Sequence, residues 1–123
     1  MRTIKELIDR EKKVWFYLDS EETSNAFLED AEAEGFSFGD GIPPTEKKGV
    51  HYVIAAHEDM LLGFLSITIW CLSFMYRGKK NGVPLRVDYR RYRSEEEDYI
   101  CREPHAFGCL HIGVAVQPDG CSE

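Results

Sequence analysis

The stretch from Leu61 to Tyr76, LLGFLSITIWCLSFMY, is the most apolar part of the chain and constrains its fold more than any other. It is too short to cross a bilayer, whose hydrocarbon core takes about 20 apolar residues in a helix. Leu65, Ile67, Ile69 and Cys71 share one parity and are all apolar, while Phe64, Ser66, Thr68, Trp70 and Leu72 form a mixed set. β-Branched and aromatic residues dominate, and period 2 describes the run better than period 3.6. The expectation is a long strand, or two joined at a bend, in the middle of a sheet. A run apolar on both parities needs cover on both faces. Ser66, Thr68 and Trp70 lie on the less protected side, where a second subunit is expected, making the protein a homo-oligomer.

The flanking segments supply the other layer. Thr3 to Glu6, TIKE, has the form of a capping box, and Ile4, Leu7 and Ile8 follow at i, i+3, i+4, so residues 4–11 read as a short amphipathic helix. Val14 to Leu18 is a continuous apolar run of strand length, suited to burial on both faces. Asp19-Ser20 then caps a second helix over roughly residues 21–34, whose first turn carries Glu21 and Glu22. Gly35 stands where a left-handed cap would stop it. Phe36 to Phe38 resumes a strand, Gly39 to Pro44 is a firm break, and Val50 to His57 reads as a third strand turning at Glu58-Asp59-Met60. Asn81-Gly82 signals a hairpin, from which residues 84–92 would return antiparallel to the central strand. The fold class expected is α/β (α+β). It has a mostly antiparallel mixed sheet of about five or six strands, with two helices packed on one face. Residues 1–123 read as a single domain, with a loose Cys/His-containing segment from about residue 101.

Charge excludes some functions. The chain carries 22 acidic and 15 basic residues, net −7, which argues against general nucleic-acid binding. Its distribution is bipolar: nine acidic and no basic residues from Asp19 to Glu46, then seven basic and one acidic from Arg77 to Arg93. The first residues, MRTIKELIDREKK, show no apolar signal region, so the expected setting is the cytoplasm and no membrane partner. Cysteines there are expected to be reduced thiols or metal ligands.

Two clusters could carry chemistry. Cys101, His105, Cys109 and His111 fall within eleven residues, and thiolate and imidazole are the ligands of tetrahedral zinc. Their C-x3-H-x3-C-x-H spacing matches none of the usual zinc patterns, so chance clustering is the plainer reading and zinc the second. The other cluster is the segment from Leu85 to Arg93, LRVDYRRYR. Read as a strand, it puts Arg86, Asp88, Arg90 and Tyr92 on one face and Val87, Tyr89, Arg91 and Arg93 on the other. Guanidinium groups beside aromatic rings suit a phosphate plus a stacked base, which makes Arg86, Arg90, Arg91, Tyr89 and Tyr92 the candidate ligand-binding residues. The plainer alternative pairs those arginines with the acidic runs. No nucleophile motif or phosphate-cradling loop is present, so no catalytic residue is expected.

Glu32 to Gly41, EAEGFSFGDG, with Pro44-Thr45, and Leu85 to Tyr89, LRVDY, with Tyr92 and Asp98-Tyr99, carry a resemblance. Together with the opening helix and strand they resemble small uncharacterised proteins encoded by phages and integrated mobile elements of gut Firmicutes. The match covers about residues 1–45 and 85–99; the central run and everything after Ile100 depart from it. The resemblance implies a non-enzymatic accessory binding protein acting in the bacterial host cytoplasm, in counter-defence. Its ligand would be a small nucleotide signal held by the arginine and tyrosine set. One alternative is an acidic inhibitor of a host nuclease, its Glu29, Glu32 and Glu34 mimicking phosphates toward a host defence protein. A small zinc-binding interaction module is the other.

Overall fold

The structure is a computed structural model, and it describes residues 2–74 and 84–102. Helix α1 (Ile4–Glu11) opens the chain and starts as its sequence dictates: Thr3 Oγ1 accepts from the Glu6 amide, and the Glu6 carboxylate accepts from the Thr3 amide. Ile4, Leu7 and Ile8 are fully buried along one stripe. Strand β1 (Lys13–Tyr17) follows, then α2 (Glu21–Glu34), capped by the Ser20 hydroxyl on Thr23 and ended by Gly35 at φ 98°. That left-handed conformation is one glycine adopts without a Cβ clash. The remaining elements are β2 (Ser37–Phe38), a 3₁₀ turn at Pro44–Lys47, β3 (Val53–His57), β4 (Leu61–Phe64), α3 (Ile67–Ser73), β5 (Leu85–Asp88) and α4 (Tyr89–Arg93).

The five strands form one open sheet in the order β2-β4-β3-β1-β5. Strand β1 pairs antiparallel with β3, and β3 with β4; β1 with β5 and β2 with β4 are parallel. The α+β class and the mixed sheet are therefore as expected, with parallel ladders as numerous as antiparallel ones. Only β3 opposes the others, so the carboxyl ends of β1, β2, β4 and β5 meet at one end of the sheet. Helices α1 and α2 cover one face, packing Ile8, Phe27 and Leu28 against Val14, Phe16, Ile54 and Leu62. The opposite face carries a smaller cluster in which Trp70 stacks on Tyr17 at 6.0 Å and meets Phe74 edge-on.

Three sequence expectations are corrected. The run from Leu61 is a strand only to Phe64 and turns into α3 at Ile67. The Ser66 hydroxyl accepts from the Ile69 amide, and burial of Trp70, Cys71 and Phe74 outweighs the strand propensity of Ile67, Thr68 and Ile69. Trp70 is fully buried, so the face it was expected to offer a second subunit does not exist in that form. Second, β5 runs parallel to β1 and gives way to a helix at Tyr89. Third, Cys71 is disulfide-bonded, against the expectation of reduced thiols. Asn81-Gly82 and the segment after Arg102 lie outside the described residues. Among the described residues no helix is long and apolar enough to cross a membrane.

Candidate functional site

The direct passage from β5 into α4 positions the arginines. Asp88 ends the strand, and its carboxylate accepts from the Arg91 amide at 3.3 Å, capping a helix of five residues. In a helix Tyr89 and Tyr92 stand at i and i+3 and so share a side, which is buried. Their hydroxyls are committed: Tyr92 donates to the Thr3 carbonyl at 2.6 Å, and Tyr89 donates to Asp30 at 2.5 Å. Burial raises both phenols, that of Tyr92 to about 12, and for Tyr89 the Asp30 hydrogen bond adds to the rise. The two rings are thus core, packed on α1 and α2: Tyr89 shares the Asp30 carboxylate with Arg93, and the Tyr92 ring has the Arg2 guanidinium 5.4 Å from its centre.

The arginines separate accordingly. Arg86 points to the other face of the sheet, where its guanidinium lies 3.7 Å over the Phe74 ring and donates to the Ser73 hydroxyl at 2.9 Å. Burial lowers its pKa, and it lies, as Arg91 does, near the buried Cys101 thiol. Arg91 turns back toward its own cap, Nε 3.7 Å from Asp88. Arg90 and Arg93 face α2 instead. Asp19, just past the end of β1, accepts from Arg90 Nε at 2.6 Å and from the Thr23 hydroxyl at 2.7 Å. Asp30 accepts from Arg93 Nε at 2.8 Å. Burial works to raise the pKa of Asp19, but the hydrogen bonds from Thr23 and Arg90 outweigh it and hold the carboxyl below its ordinary value. The Arg90 and Arg93 guanidiniums are raised in turn by the same pairs.

Between α2 and α4 these residues enclose an open notch of about 170 Å³, lined by Glu22, Thr23, Ala26, Arg90, Arg93 and Ser94. Pockets that enclose a drug-sized ligand run to about 300–1,000 Å³, so this one is smaller than those and has room for a phosphoryl group. A guanidinium held at Nε keeps donors at its outer edge, and two such forks side by side suit the oxygens of a phosphate. The formal charges near the notch are two positive (Arg90, Arg93) against three negative (Asp19, Asp30, Glu22). Hydrogen-bond geometry, rather than a positive field, is what the notch offers an anion.

Of the five ligand residues expected from sequence, then, Arg90 alone lines this notch. Arg93, Thr23 and Ser94 line it without having been singled out, and Asp19 and Asp30 orient its arginines. A signal for them was present: Asp88 followed by tyrosines at i+1 and i+4 has the form of an N-cap and a buried helical stripe.

The acidic set on α2 is spent inside the molecule. Glu34 accepts from the Ile4 and Lys5 amides at 3.0 and 2.7 Å, closing the start of α1 from a different helix. Glu32 accepts from the Thr45 hydroxyl and amide, which lowers its pKa, and Glu29 pairs with Lys48 at 2.6 Å. Of the sulfur and imidazole cluster, Cys101 is described and buried, its thiol pushed up to about 12 by burial; His105, Cys109 and His111 lie outside the described residues. Among the described residues no group of three or more possible metal ligands comes together.

Comparison of the chain with known families, with characterised proteins and with solved structures finds no match.

Proposed function

We propose that this is a non-enzymatic accessory binding protein of a phage or mobile element that acts in counter-defence by sequestering a small nucleotide, one phosphate of which occupies the notch between α2 and α4. The observation that supports this reading is the pairing of Arg90 with Asp19 and of Arg93 with Asp30, which holds two guanidinium forks at one phosphate-sized opening. Because Tyr89 and Tyr92 are buried, the base of such a ligand does not stack on them, and the open notch leaves it toward solvent. Recognition is then of the phosphate end, and the ligand class is phosphate-bearing small molecules with an accessible terminal or bridging phosphate. The bacterial cytoplasm is the setting this reading carries with it.

The test is thermal shift against a panel of linear and cyclic nucleotides, since a ligand that binds only the folded state raises the melting point. At least one phosphate-bearing member should shift wild type, and the double variant Arg90→Gln/Arg93→Gln should lose that shift while melting within a few degrees of wild type. Glu22→Gln removes a like charge from the notch and should strengthen the response. A panel in which no phosphate-bearing compound shifts the wild-type protein at millimolar concentration ends this reading.

A further inference from the structure

A second surface lies on the other side of the same end of the sheet, and it does not involve the notch. Phe64, the last residue of β4, is half exposed, with its ring stacked against Phe38 at 4.8 Å and His51 at 4.6 Å. The Lys47 ammonium lies 5.2 Å from the Phe38 ring centre and pairs with Asp40 at 3.0 Å. Ile42, whose amide donates to Asp40, and Val50, next to His51, add exposed apolar side chains to the same area, Val50 at 55%. A linked group of exposed apolar residues of this kind is the mark of an interaction site rather than of scattered surface hydrophobics.

We propose that this surface is the interface through which two copies of the chain pair. Charge is the first reason for that occupant. Each copy carries net −7, so two copies repel over most of their surfaces. Here, however, Lys47 pairs with Asp40 and Lys48 with Glu29 beside an apolar centre, with Glu46 the one further charge of the 3₁₀ turn. A cation and a carboxylate beside an apolar centre are also self-complementary across a twofold axis: Lys47 of one copy can exchange Asp40 for that of the other without leaving a charge unpaired.

The sheet edge is the second, independent reason. Strand β2 is two residues long and pairs with β4 only through Leu61 and Leu62. Gly63 and Phe64 continue β4 past the end of β2 while still paired to β3 on the inner side. Among the described residues no further strand pairs with this part of β4, and such an edge accepts another strand, a twofold axis bringing up the same edge of a second copy antiparallel.

Sedimentation equilibrium over about 1–200 µM reads this directly. Wild type should pass from one to two chain masses in that range, and added salt should not dissociate the pair, because screening weakens the −7 to −7 repulsion more than it weakens an apolar contact. Phe64→Glu should weaken pairing at least tenfold. Val50→Glu, at a position exposed enough to leave the fold unchanged, should do the same and stands in if Phe64→Glu fails to fold. A wild-type protein that remains one chain mass throughout overturns the proposal, even if the surface proves to bind a different macromolecule. So does pairing that survives Val50→Glu undiminished.

Discussion

Ser24 and Glu34 lie ten residues apart on α2 and illustrate opposite uses of a polar side chain. Ser24 is fully buried and, among the described residues, its hydroxyl has no hydrogen-bond partner. Leaving a buried hydroxyl unsatisfied costs on the order of 1–3 kcal/mol, so Ser24→Ala should stabilise the protein by about 1 kcal/mol in urea unfolding. An unchanged or lowered midpoint would show that the hydroxyl is satisfied after all. Glu34 is the reverse case, since its carboxylate closes two amides of another helix. Glu34→Ala should cost about 1–2 kcal/mol in the same measurement, because hydrogen bonds to a charged group are the stronger kind. Glu29→Ala removes only an exposed pair with Lys48 and should cost less than about 0.5 kcal/mol. Equal effects at the two glutamates would refute the structural role given to Glu34. Nothing in the sequence distinguishes these two acids: both belong to one acidic helix, and only the approach of α1 makes one of them a cap.

At the scale of the element, legibility followed the strength of local signals. Helices α1 and α2 and strand β1 could be read because caps, period and apolar runs agree there: TIKE and Ile4, Leu7, Ile8 for α1, Ser20 and Gly35 for α2. Helix α3 reads as a strand because it is short and built from residues of low helix propensity, and α4 because its cap and tyrosine stripe span little more than one turn directly after a strand. What makes them helical is tertiary: Trp70 stacking on Tyr17 and meeting Phe74 edge-on for α3, Tyr89 packing on Phe16 and Phe27 and Tyr92 on Tyr99 for α4. The notch was lost with α4, since its arginines converge only if residues 89–93 are helical. The pair of Arg90 with Asp19, just before α2, also has a pH signature. The carboxyl of Asp19 is depressed below its ordinary 3.8, so its contribution is present above about pH 4 and is lost as pH falls through the folded-state value. Asp19→Asn should therefore flatten the acid limb of stability against pH below about 4 and leave the slope near neutrality unchanged. A steeper acid limb in the variant would mean that the pair is absent.

Over the whole molecule, the aromatic residues tie the two faces of the sheet together and set the alkaline limit. Burial raises Tyr17 to about 12, helped by the charges of Asp19 and Asp88, and burial likewise raises Tyr92 to about 12. A raised phenol stabilises the fold fully below the unfolded value of 10, and that contribution is lost as pH rises toward 12. Tyrosinate absorbance of these residues should appear together with loss of the far-ultraviolet circular dichroism signal between pH 10 and 12, rather than ahead of it. Ionisation of all tyrosines near pH 10 with the fold intact would place Tyr17, Tyr89 and Tyr92 outside the core.

The central claim is that Arg90 and Arg93, oriented by Asp19 and Asp30, bind the phosphate of a small nucleotide between α2 and α4. The most direct measurement is amide chemical-shift mapping of the isotope-labelled protein titrated with the nucleotide that gives the largest thermal shift, in parallel with inorganic pyrophosphate. Both probes should perturb one contiguous set centred on Thr23, Ala26, Arg90, Arg93 and Ser94. Perturbations centred instead on His51 and Phe64, or none at millimolar ligand, would contradict it.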